Sequence, residues 1–259
     1  MDLTTIIGFL AGAMVFGTAM VAGGNIKAYI DIPSVLITGG GMTVAMVIGT
    51  PSSTLKGFMK VLKTAFIHKQ VDTLALIGRL VRFGEIARRD GILALEGALS
   101  EDDDEFLVRG IQMAVDGADP DFINKTMAAE VESMEVRHKN GQKMFESLGM
   151  YAPAFGLIGT LIGLIVMLGR LNDPSKVGSG MATALITTFY GAMAANFIWL
   201  PIADKLAARN KEELLVKEII MQGVMSIQSG DNPRVVEQKL KIYLSPPQRH
   251  QEFVKRIGR

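Results

Sequence analysis

Four stretches of the chain carry no charged side chain: residues 3–26, 32–55, 147–169 and 177–203, which are 24, 24, 23 and 27 residues long. An α-helix rises about 1.5 Å per residue, so about 20 mostly apolar residues cross the ~30 Å hydrocarbon layer of a bilayer. Each stretch is long enough, and buried helices of soluble proteins seldom run that far without a charge. The pattern predicts an all-α integral membrane protein with four transmembrane helices, at roughly 3–23, 33–50, 149–169 and 179–202. The first stretch does not read as a secretory leader. Asp2 is the only charge ahead of it, so a basic leading region is missing, and the apolar run is too long. It is expected to stay attached.

The spacing of these stretches divides the chain into a hairpin over 1–50, a segment 51–147, a second hairpin over 148–202 and a tail over 203–259. Lys56, Lys60, Lys63 and Lys69 follow the second stretch with no acid before Asp72, and Lys205, Arg209 and Lys211 follow the fourth. Basic residues close to span ends stay in the cytoplasm. The segment 51–147 and the tail are therefore expected inside, together with both termini. The short connections, holding only Lys27, Arg170 and Lys176 as basic residues, are expected outside.

Both internal parts read as helical. From Thr73 to Arg89, Leu74, Ile77, Leu80, Val81 and Ile86 recur at helical spacing, and Asp90-Gly91 is a stop signal. A short helix is predicted from Ile92 to Leu99. The acidic run Glu101 to Glu105 reads as a solvated loop or helix start. Asp119-Pro120 opens a further helix, which meets no breaker stronger than Gly141 before Leu148 and so runs into the third span. Asn232-Pro233 opens another in the tail.

Charge and composition narrow the chemistry. Lys plus Arg number 27 against 26 Asp plus Glu, so no basic excess points to nucleic acid. With no cysteine, disulfides and thiolate metal sites are excluded. His68, His138 and His250 are scattered rather than clustered. No Gly-Lys-Ser/Thr phosphate loop or nucleophile–base pairing occurs, so the chain is not read as an enzyme and no cofactor is implied. Small residues crowd the spans: Gly39-Gly40-Gly41, then Gly156, Gly159 and Gly163, where the last two make a GxxxG pair. In lipid such residues let helices approach closely, here within one subunit.

Thr160 and Thr188 fall at matching depth, about 13 Å beyond Tyr151 and about 20 Å from Pro201. Their hydroxyls either bond to the carbonyl one turn back or line a polar path. Ionisable residues inside a membrane mark ion pathways, yet none of the four stretches holds one; Asp31 sits at an outer edge beside Pro33. If the chain conducts ions, a second chain must supply the carboxylate.

The stretch Ala152-Pro153-Ala154-Phe155-Gly156-Leu157-Ile158-Gly159-Thr160-Leu161-Ile162-Gly163-Leu164 resembles the third span of MotA/PomA flagellar stator proteins. Ala184 to Ala192 and Leu200 to Leu206 resemble their fourth span and its exit. Ala87 to Glu96 resembles their rotor-facing segment, and Ile227 to Arg234 their tail. The resemblance implies a homopentamer in the bacterial inner membrane around two copies of a MotB/PomB-type single-span partner, which brings the carboxylate. The transported cation would be Na+ or H+, and torque would act on the rotor protein FliG. It further implies rotor contact by Arg88 and Glu96, with Glu85 and Arg89 beside them. Pro153 and Pro201 would be the mechanical prolines, and Thr160 and Thr188 the ion path, with Thr187 as neighbour. Thr160 matches a position that is Thr in sodium-driven members, which favours Na+. Two alternatives are an ExbB/TolQ-like energy-transducing subunit, which usually has three spans, and a self-contained channel, which the missing intramembrane charge disfavours.

Overall fold

The computed structural model describes residues 3–24, 26–67, 71–172, 174–247 and 249. Asp2, His68, Lys69 and His250, and the side chain of Lys176, lie outside the described residues. Helices make up nearly all of what is described, and no strand occurs among the described residues. Among the described residues, four helices are long and apolar enough to cross a membrane. Span 1 is Leu3–Ala22. Span 2 joins Ile32–Val35, a π-helical turn Leu36–Gly40 and Gly41–Gly49 without a gap. Span 3 is the apolar end of one helix, Pro120–Leu168.

Span 4 begins at Pro174–Met193, passes through a π-helical turn Ala194–Trp199 and continues as Leu200–Gln228. The helix therefore does not end near 202 where the apolar run does. Pro201 is the second residue of this continuation, directly after the π-turn, which is where a helix absorbs a proline by local widening. Pro153 instead lies inside its helix and withholds a donor from the Gly149 carbonyl.

The chain divides into two compact units, Met1–Lys69 with His138–Arg209 and Gln70–Arg137 with Asn210–Arg259. In the first, spans 3 and 4 meet along a seam of small residues. A Cβ at Gly191 would come within 2.6 Å of the Ala152 oxygen, and one at Gly163 within 2.7 Å of the Ala184 nitrogen. Only glycine fits there, so the GxxxG pair and its partners serve close packing within one subunit. Span 2 lies against the pair, with the Phe155 ring over Gly41 and a buried Thr38 hydroxyl donating to the Thr187 carbonyl at 3.4 Å. Span 1 is the least covered: none of its apolar window is buried. Phe9 and Phe16 hold it edge-on to Phe197, with ring centroids 5.5 Å apart in each pair.

A short amphipathic helix, Phe58–Phe66, follows span 2. Phe58 stacks on Phe145 at 4.9 Å, and Ala65 is buried with Met144, Ile202 and Ala203. Lys60 and Lys63 point away and are exposed. The lysines had marked this stretch for topology; their three-residue spacing also marks the polar face of this helix.

The second unit packs Thr73–Asp90, Glu105–Val115, Pro233–Lys241 and parts of the two long helices around Leu80, Phe83, Ile111, Ile220, Val224 and Leu240. Side chains cap the helix starts: Asp72 accepts from the Leu74 and Ala75 amides, Asp104 from Phe106 and Asn232 from Arg234. Thr73–Asp90 stops at Gly91, whose φ of 89° and ψ of 160° suit glycine alone. A 3-10 helix, Ile92–Ala98, follows.

The acidic run is a helix start but not a merely solvated one. Asp103 forms a two-bond pair with Arg79 at 2.9 and 3.2 Å, and Asp104 binds Lys217 at 2.8 Å. Burial pushes the Asp103 carboxyl up, but the Arg79 hydrogen bond, the Ser100 amide and the Arg79 charge outweigh it and hold it below the ordinary value. Both cations come from helices distant in sequence, which local reading of the run misses.

Candidate functional site

Thr160 on span 3 and Thr188 on span 4 are brought together by the glycine seam. Their hydroxyls hydrogen-bond to each other, so the two positions share one depth. The Thr160 hydroxyl also lies 3.1 Å from the Gly156 carbonyl and 3.0 Å from that of Ala184, and the Thr188 hydroxyl 3.3 Å from Ala184. Each hydroxyl reaches back one turn, as one of the two sequence readings expects, and the pair also bridges the helices. One hydroxyl carries a single proton and two lone pairs. Three hydroxyls, those of Thr160, Thr187 and Thr188, lie within reach of the Ala184 carbonyl, so lone pairs on the Thr160–Thr188 pair are left without a donor. Thr160 is half-buried and Thr188 exposed, so these oxygens reach the surface of the subunit. Converging neutral oxygens of this kind suit a small hard cation or a file of water.

Thr187 shares that acceptor from the buried side. It is 0% exposed, with its hydroxyl 2.9 Å from the Thr183 carbonyl and 3.0 Å from the Ala184 carbonyl. Its side chain occupies the notch left by Gly159, where a Cβ would sit 2.6 Å from the Thr187 Cβ. The expected neighbour is buried behind the pair, because consecutive helix positions point about 100° apart.

At the start of span 2, Asp31 is a helix cap. Its carboxylate accepts from the Ser34 amide at 3.0 Å and from the Ser34 hydroxyl. Its own amide donates to the Tyr190 hydroxyl at 3.2 Å, and that hydroxyl donates to the Tyr29 carbonyl at 2.5 Å. Ser34, Thr38 and Tyr190 were not singled out from the sequence. Ser34 and Thr38, one turn apart in an apolar span, are the signal that could have found them.

In the second unit, Glu85, Arg88 and Arg89 end the helix Thr73–Asp90, and Glu96 follows on the 3-10 helix; all four are exposed. Arg89 pairs with Asp90 at 2.8 Å. Its hydrogen bond holds the Asp90 carboxyl below the ordinary range, and the same bond raises Arg89. Arg88 and Glu96 make no ion pair among the described residues, so both charges face outward unneutralised. Pro153 and Pro201 are exposed on their helices.

A family model described as the MotA/TolQ/ExbB proton channel family matches residues 98–219, and one for the motility protein A N-terminal region matches residues 6–91. The chain is 39% identical to the chemotaxis protein PomA of Vibrio alginolyticus, covering 98% of this chain and 99% of that one. It is 40% identical to motility protein A of Borreliella burgdorferi, covering 97% of both. Among solved structures, the flagellar MotAB stator complex from Bacillus subtilis superposes with a TM-score of 0.90 at 34% identity, covering 96% of this chain and 99% of that one.

Proposed function

The chain belongs to the MotA/TolQ/ExbB proton channel family, and we propose that it is the ion-conducting stator subunit of a bacterial flagellar motor. One observation carries the mechanism: two threonine hydroxyls meet at one depth within the charge-free runs of spans 3 and 4. Neutral oxygens can solvate a passing cation but cannot hold it by charge, so the counter-charge comes from a partner. A MotB/PomB-type partner, bringing one span and a carboxylate, fits that need. The full-length likeness to motility proteins and to a stator complex supports this assignment over an ExbB/TolQ-like subunit. The chain sits in the inner membrane as an oligomer, a pentamer on this reading. The lysines after span 2 and basic residues after span 4 support an orientation with both termini and the second unit in the cytoplasm.

On this reading, Thr160 and Thr188 pass the ion to and from the partner carboxylate, and Na+ is favoured because hydroxyl oxygens are ligands for it. Thr187 supports the pair by packing. Pro153 and Pro201 let spans 3 and 4 flex as the ion moves, and Arg88 and Glu96 touch FliG. Co-reconstitution in liposomes with the partner should give Na+ flux that the chain alone does not. Flux through the chain alone would overturn the shared-site mechanism.

A further inference from the structure

A groove of about 300 Å³ runs between spans 1 and 4 in the first unit, walled by Gly8, Phe9, Phe197 and Pro201. Thr4, Thr5 and Lys205 stand at one end of it. Its volume is that of a small ligand site. Gly8 has nothing within 4 Å of where its Cβ would be, so one wall is open. The groove lies beside a thinly covered helix: span 1 buries none of its apolar window and meets Phe197 through Phe9, Phe16 and the bare Gly12.

An apolar slot with an ammonium and two hydroxyls at one end has the polarity of an amphiphile. The slot lies along membrane helices, where the available filler is an acyl chain, and Lys205 stands just past the charge-free run at headgroup level. The exposed Asp204 precedes it, but the neighbouring helix adds basic residues. Phe66 packs on Phe9 at 6.0 Å, and the helix carrying Phe66 exposes Lys60 and Lys63, with Lys56 just before it. None of these three lysines makes an ion pair among the described residues. Basic pockets between membrane helices recruit anionic headgroups.

We propose that this groove binds an anionic phospholipid, with one acyl chain between spans 1 and 4 and the phosphate at Lys205. The assignment of the site to the inner leaflet rests on the orientation proposed above; the site itself does not.

The test is native mass spectrometry of the complex with its partner subunit, purified in mild detergent and supplied with phosphatidylglycerol or phosphatidylcholine. The unmutated complex should retain phosphatidylglycerol through delipidation. Gly8→Leu, which fills the slot, should lower retention of both lipids about tenfold. Lys205→Gln should abolish the preference for phosphatidylglycerol and leave phosphatidylcholine retention unchanged, a selectivity that a merely misfolded variant would not show. Equal retention in all three proteins would overturn the proposal. So would cross-linking of Gly8→Cys to a neighbouring copy, which would mean that a second chain fills the groove. Lipid retention is read without ion flux, so its failure leaves the stator reading intact.

Discussion

Gly191→Ala tests whether the meeting of Thr160 and Thr188 depends on the glycine seam. The added methyl would meet the Ala152 oxygen at 2.6 Å, the Gly156 Cα at 3.1 Å and the Ala152 carbonyl carbon at 3.2 Å. All three obstacles are backbone of span 3, so no rotamer change relieves the clash. Reaching ordinary contact requires the spans to separate by about 0.8 Å, and overpacking of this kind costs about 1–3 kcal/mol. At about 2–4 °C per kcal/mol for a chain of this size, the melting midpoint should fall by about 2–12 °C. The same separation stretches the bond from Thr160 to the Ala184 carbonyl from 3.0 Å to about 3.8 Å, beyond a hydrogen bond. Ion flux should therefore fall further than protein abundance. Gly178→Ala is the control, because nothing lies within 4 Å of its Cβ. It should keep or raise the midpoint, since alanine favours a helix by up to about 1 kcal/mol over glycine. A Gly191→Ala protein that melts and conducts like the unmutated one would refute the reasoning.

Thr160→Ala removes one of the two meeting oxygens at a folding cost of only about 0.6–2 kcal/mol, so Na+-dependent swimming should weaken more than abundance. Swimming of the unmutated motor that ignores external Na+ would assign the coupling to protons. Arg88→Glu and Glu96→Lys should each impair swimming while leaving assembly with the partner intact, because exposed charges govern docking and register. Normal swimming of both variants and of the double variant would shift the contact to Glu85 or Arg89. The Asp103 carboxyl is held below its ordinary value in the folded unit. Its contribution to stability is therefore present at neutral pH and lost as pH falls through the folded-state value. Asp103→Asn should lower the neutral-pH midpoint and flatten the acid limb, which titration of melting between neutral and acid pH will check.

The spans were legible because the membrane imposes a long-range composition rule, and charge-free runs of 23–27 residues obey it. Caps were legible where the signal is local: Asp119-Pro120, Asn232-Pro233 and Gly91 each act within one helical turn. What stayed hidden depends on partners distant in sequence. Asp103 finds Arg79 from another helix, and Lys217 reaches Asp104 across 113 residues. The π-turns at Leu36–Gly40 and Ala194–Trp199 were likewise invisible, since neither Gly-rich nor aromatic composition sets a helix's turn width.

The adjacent Thr187 and Thr188 show how packing precedes chemistry in this site. The same side chain occurs twice in succession, yet one is fully buried and the other exposed. Gly159 decides which is which. Its missing side chain makes the notch that admits Thr187, and this fixes the rotation of span 4. That rotation aims Thr188 at Thr160, one turn beyond Gly156 on the facing helix. Filling the notch with Gly159→Ala would press a methyl within 2.6 Å of the Thr187 Cβ and 2.5 Å of its Cγ2. A compensating Thr187→Gly removes that Cβ and Cγ2 together with the Oγ1 at 2.8 Å, and so moves the notch to the facing helix. If the notch sets the rotation, Gly159→Ala alone should lose ion flux, and the double variant should recover part of it. A single variant with full flux, or a double variant no better than the single, would mean that the remaining glycines alone orient the pair.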